Sequence, residues 1–216
     1  MTDNNKTSIT VILDKSGSME PVRTDTVGGY NTFIEAQKQL PGECDITLIQ
    51  FNDKREFTYK SVDVKKLEKG LLLEQYVPDC GTALLDAVGV AINEKGAELA
   101  ALPEEQRPGK VMFVIITDGQ ENASRDFNHA KIKEMIEQQK TTYNWDFTFL
   151  GANVDTFNVA DSMGIAANKS LSFSTSKAGG AKRMFASMSN YTRSARAGGQ
   201  SVSEASYSEE DRASNA

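Results

Sequence analysis

The stretch "ILDKSGSMEP" (residues 12–21) ends an apolar run in one aspartate and then sets two serines at spacing two. In an extended turn Asp14, Ser16 and Ser18 share a face, because alternate side chains point the same way. Gly17, between the hydroxyls, lets the backbone bend closely. Asp118 follows another apolar run in "KVMFVIITDGQEN", with Gly119 behind it, and Thr82 follows Gly81 in "DCGTALLDA". Taken singly, "DKSGS" and "TDG" are turn sequences and Thr82 is a helix cap. Taken together they offer two carboxylates and three hydroxyls, all oxygen donors. Hard oxygen donors suit Mg2+, with Mn2+ or Ca2+ as alternatives. Magnesium takes six oxygens and keeps several waters, so this set leaves room for water or for a carboxylate from another molecule.

A nucleophilic role for Ser16 is the competing chemistry. No GxSxG frames it, and His129 is the only histidine able to serve as a base. The position two residues after Asp14 is Ser16, not the second carboxylate that a dehalogenase-type phosphatase uses. No GxxxxGK[ST] loop is present for a nucleotide. Asp86 lies four residues after Thr82 on the same helix face and reads as a cap or support rather than a ligand. Glu121 and Asn122 read as loop supports, Asp155 as a helix cap and His129 as a surface residue.

The positioning elements follow from periodicity. Residues 8–13 ("SITVIL") and 110–117 ("KVMFVIIT") are continuous apolar strands of the kind buried on both faces. Strands are also expected at 45–51, 55–62, 145–152 and 170–174, with 55–62 alternating like an exposed edge paired in a hairpin. Helices are expected at 24–40, 82–102, 128–140, 155–163 and 178–196, with Met184, Phe185 and Met188 facing inward. The alternation implies an α/β fold, a doubly wound and mostly parallel sheet with one antiparallel edge strand. Ligands of such sheets sit at the carboxyl ends of the central strands, where Asp14 and Asp118 would meet.

A length of 216 residues suits one such domain. The net charge of −6 argues against a nucleic-acid partner, which needs a basic face. Cys44 and Cys80 lack a CxxC or Cys/His neighbourhood and are expected to be reduced thiols. "MTDNNKTS" has no apolar targeting core, and no run reaches the roughly 18–20 apolar residues of a membrane span. A cytoplasmic protein with no membrane contact is therefore expected. Residues 198–216 turn to Ser, Glu and Ala and are expected to form a disordered tail behind a domain of residues 1–197.

The three motifs, in this order and each after the expected element, resemble the metal-ion-dependent adhesion site of the von Willebrand factor type A (VWA) family. The resemblance spans about residues 8–196, and "GGYNTF" and "LIQFND" resemble its intracellular bacterial and phage members. It implies a Rossmann-like six-stranded sheet of order 3-2-1-4-5-6. It implies that Ser16 and Ser18 bind the metal directly, with Thr82 doing so in a state-dependent way, while Asp14 and Asp118 act largely through water. It also implies a function in metal-dependent protein interaction. A Glu or Asp of a partner protein would complete the site, and an AAA+ ATPase is one such partner. A metal-assisted hydrolase using the same crevice is the alternative.

Overall fold

Strand β1 (Asp3–Asp14) is the axis of the computed structural model, which describes residues 1–152, 155–197 and 204–215. It lies between β2 (Glu43–Phe51) and β4 (Pro108–Thr117), parallel to both. Beyond β2 runs the antiparallel β3 (Arg55–Asp63), and beyond β4 come β5 (Asp146–Gly151) and β6 (Ser170–Ser172). The sheet order is β3-β2-β1-β4-β5-β6, as the family resemblance implied.

The two-residue period of the central strands divides the core. Ile9, Val11 and Leu13 of β1, with Met112, Val114 and Ile116 of β4, face α1 (Arg23–Lys38) and α5 (Gly180–Arg196). Ile12, Phe113 and Ile115 face α2 (Leu84–Ala100), α3 (His129–Tyr143) and α4 (Thr156–Ser162). Both faces are covered, so neither strand has a polar alternation to show. The chain leaves β1 for α1 on one face and leaves β4 for α3 on the other. This divergence at the carboxyl ends opens the crevice above Asp14 and Thr117.

Two boundaries differ from expectation in ways that bear on the site. "GSMEPV" (Gly17–Val22) forms 3-10 turns, so the extended run ends at Ser16 and Ser18 lies one residue inside a helical turn. Helix α2 begins at Leu84 rather than at Thr82, and Thr82 is not its cap.

The tail reading needs correction. Residues 198–203 and 216 lie outside the described residues, but 204–215 pack against the domain and end in a sixth helix, α6 (Glu209–Asn215). Tyr207 is buried and stacks on Tyr191, with ring centroids 4.8 Å apart. Arg212 donates to the carbonyls of Ser170 and Ala167, at 3.0 and 2.8 Å. Ser208 caps the helix reciprocally with Asp211. Composition pointed to disorder because the anchors are one aromatic, one arginine and the polar contacts of Asp211 and Asn215 with α5, none of which raises the average hydropathy. Among the described residues no helix is long and apolar enough to cross a membrane.

Candidate functional site

Asp14 is fully buried at the end of β1. Its Oδ1 accepts the Ser16 backbone N–H at 2.6 Å, and its Oδ2 accepts the Thr117 hydroxyl at 2.5 Å. The first contact closes the chain into a tight turn. The second follows from register: Leu13 pairs with Ile116, so Asp14 and Thr117 leave the sheet side by side. From there the hydroxyls form a chain. Ser16 Oγ lies 3.1 Å from Ser18 Oγ, and Ser18 Oγ donates to Asp118 Oδ1 at 2.6 Å. The 3-10 turn places these two serines together, whereas an extended strand would hold them further apart.

Thr82 completes the group. Its loop is held by Gly17 N–H donating to the Cys80 carbonyl at 3.2 Å and by Ala83 N–H donating to Asn52 at 2.7 Å. The Thr82 N–H donates to Asn122 Oδ1 at 2.9 Å, which leaves the Thr82 hydroxyl facing the crevice beside Gly119. A Cβ on Gly119 would lie 2.6 Å from Thr82 Oγ1 and 3.4 Å from Ser16 Oγ. Gly119 therefore marks where both hydroxyls converge, and the structure brings Asp14, Ser16, Ser18, Thr82 and Asp118 into one cluster.

The glycines divide into two kinds. Gly81 is constrained like Gly119, because a Cβ there would come within 2.8 Å of Asn122 Oδ1. Gly17 is not: its added Cβ would meet only the Cys80 carbonyl at 3.7 Å, an ordinary contact. The expected close bend at Gly17 is thus replaced by an ordinary 3-10 start. We expect Gly119→Ala to cost about 1–3 kcal/mol through overpacking and to abolish metal-induced stabilisation. Gly17→Ala is expected to leave that stabilisation intact. Thermal melts of both variants with and without Mg2+ check the contrast.

The supports act through backbone donors. Asp86 accepts the N–H groups of Arg125, Asp126 and Phe127, at 2.9, 3.0 and 2.9 Å. It therefore clamps the loop after β4 rather than capping its own helix. Glu121 takes the N–H groups of Leu85, Ala123 and Ser124. Asp155 precedes α4 but makes no side-chain cap bond. His129 is exposed and pairs with Ser162 at 3.1 Å, on α3. Cys44 and Cys80 are free thiols.

Two contributors escaped the sequence reading. Thr117 was legible only through strand register. Tyr76, fully buried, donates its hydroxyl to the Asp14 carbonyl at 2.5 Å from 62 residues away, and no local pattern marks it.

Electrostatics fit a cation. Burial raises the Asp14 carboxyl to about 6, against the lowering effect of its hydrogen bonds from Thr117 and Ser16, and Asp118 adds like-charge repulsion. Burial also raises Asp118. Among the described residues no lysine, arginine or histidine is ion-paired with Asp14. Two carboxylates crowded in a low-dielectric crevice call for positive charge. Among the described residues no three His, Cys, Asp or Glu are grouped to hold a metal, so any ion here must be held largely by hydroxyls.

The fold is that of a VWA domain. No protein-family model matches the sequence, and no curated protein matches it. Solved structures do. A von Willebrand factor type A protein from Catenulispora acidiphila shares 13% identity at a TM-score of 0.61, over 87% of this chain and 43% of that one. The manganese-loaded TRAP protein of Plasmodium vivax shares 13% identity at 0.52, over 84% of this chain and 74% of that one. Proximal thread matrix protein 1 of the mussel byssus, with a zinc-occupied MIDAS motif, shares 13% identity at 0.56, over 87% and 46%. This chain thus spans less than half the length of the first of these proteins.

Proposed function

We propose that this chain is a divalent-metal-dependent protein-interaction module. The observation that carries the reading is the convergence of the Ser16, Ser18 and Thr82 hydroxyls with Asp14 and Asp118 at Gly119. In this reading the three hydroxyls ligate Mg2+ directly, and Asp14 and Asp118 balance its charge largely through water. Mn2+ and Ca2+ suit the same donors. The bound cation supplies an electrophilic position for an incoming carboxylate. The chain's own part is to hold three neutral oxygens rigidly and keep its anionic groups further back, so that the position stays attractive to a Glu or Asp of a partner. Asp14 N-terminal to the turn, Thr117 behind it and Asn122 behind Thr82 provide that rigidity. The metal-loaded TRAP and thread matrix structures support a divalent ion in this fold. We place the protein in the cytoplasm, with the bacterial and phage VWA proteins, and an AAA+ ATPase is the class of partner we favour.

A binding role is favoured over hydrolysis by the surroundings of Ser16. Its hydroxyl is engaged with Ser18, and His129 is engaged with Ser162 on another helix. We expect no turnover of generic ester or phosphate substrates with Mg2+ or Mn2+. Turnover that disappears in Ser16→Ala would establish the hydrolase instead. The test of the interaction is affinity capture with wild type and Asp14→Ala, each with and without Mg2+. A partner retained only by wild type with Mg2+ is expected, and a partner retained regardless of metal would overturn the reading.

A further inference from the structure

A groove of about 550 Å³ opens beside Thr82, between the β2–β3 turn and the loop after β4. Both walls are pinned to the start of α2. Asn52 accepts the Ala83 N–H, and Asp86 holds the backbone of Arg125. Most acceptors on these walls are engaged. Asp53 is an exposed carboxylate of the same groove, while Asp86 takes three backbone N–H groups, Asp126 pairs with Arg55 at 3.7 Å and Asn122 Oδ1 takes the Thr82 N–H. The donors are not. Lys54 and Arg125 are exposed and, among the described residues, their side chains enter no ion pair or hydrogen bond. The Asn122 amide is oriented by its Oδ1 contact so that its NH2 group remains to donate. An acidic chain thus presents two unpaired cationic side chains in a groove whose Asn122 also holds the backbone of Thr82.

We infer that the partner is an acidic segment whose second carboxylate lies between Lys54 and Arg125 when its first takes the metal. This rests on the metal-dependent reading above. Two anionic groups on one segment reach two sites through a short linker, so engaging the metal raises the effective concentration of the second at the groove. Exposed charge pairs are individually weak and screened by salt, so the groove would select among carboxylate-bearing partners rather than supply the main affinity.

The test uses fluorescein-labelled peptides with one glutamate, or with two glutamates two to five residues apart, in neutral surroundings. Anisotropy is read with Mg2+ at low and high salt. For at least one spacing the diacidic peptide is expected to bind about five- to tenfold more tightly at low salt. The advantage is expected to vanish at high salt and in Lys54→Ala/Arg125→Ala, whose Mg2+-induced shift in melting temperature stays that of wild type. Equal binding of the two peptide classes, no peptide binding, or an advantage that survives in the double variant would overturn the inference. So would an oligonucleotide that outcompetes the diacidic peptide through the same two residues. A wild-type melting curve unmoved by Mg2+ would instead reject the metal reading itself, so the two failures are separable.

Discussion

Magnesium at about one hundred times its dissociation constant is expected to stabilise the metal-free protein by about 2.7 kcal/mol. For a chain of this size that is a rise in melting temperature of roughly 5–10 °C. The size of the gain should depend on pH, and the sign follows from Asp14. Its carboxyl titrates near 6 in the folded metal-free protein, against an ordinary value of 3.8. The folded state therefore holds that proton more tightly than the unfolded state does. In the absence of metal, the contribution of Asp14 to stability falls as pH rises from about 4 through about 6, by roughly 3 kcal/mol in all. Metal binding needs the carboxylate form, so the metal-induced gain is expected to be small at pH 5 and full at pH 7.5.

Asp14→Asn separates the two effects. Without metal at pH 7 it is expected to be more stable than wild type, because the buried charge is gone. With metal it is expected to gain nothing. Melting curves over a pH and Mg2+ grid read both, and a wild-type curve unchanged in millimolar Mg2+ and Mn2+ would sink the assignment.

The second large effect lies far from the crevice. Lys169 Nζ sits 2.7 Å from Asp146 Oδ1 and 3.0 Å from the Tyr191 hydroxyl, which donates to Asp146 Oδ2 at 2.6 Å. All three side chains are buried. This knot ties the start of β5 to α5, and Tyr207 of the terminal segment stacks on Tyr191 and hydrogen-bonds Thr148. Replacing Lys169 with Met leaves the Asp146 carboxylate buried without its cation, and a loss of roughly 3–5 kcal/mol is expected. Adding Asp146→Asn to that variant is expected to recover part of the loss, because the remaining charge is then removed. Urea unfolding gives both numbers. A single-variant loss under about 1 kcal/mol would show that the carboxylate finds water instead.

Much of the site was readable from residue types. Asp14, Ser16, Ser18, Thr82 and Asp118 are legible as a donor set from their types and places alone, because oxygen donors after apolar strands have few uses. The strands were readable for a related reason. Burial on both faces demands uninterrupted apolar runs, and β1 and β4 supply them. The tail was misread because its order depends on Tyr207 and Arg212 finding Tyr191 and the end of β6, and no local composition encodes a remote partner.

The amino-acid sequence by itself determined the donor chemistry, the alternation of elements and the strand ends that carry the donors. These depend on side-chain type and on periods of two and 3.6 residues, which are local. Only the tertiary structure decided that Ser18 reaches Asp118 by way of a 3-10 turn, and that Gly119 rather than Gly17 is sterically required. It also decided that Tyr76 and Thr117 secure Asp14, and that Lys54 and Arg125 share a groove joined to Thr82 through Asn122. Each of these depends on which segments pack together, and packing of distant segments is set by the whole core rather than by any short stretch of chain.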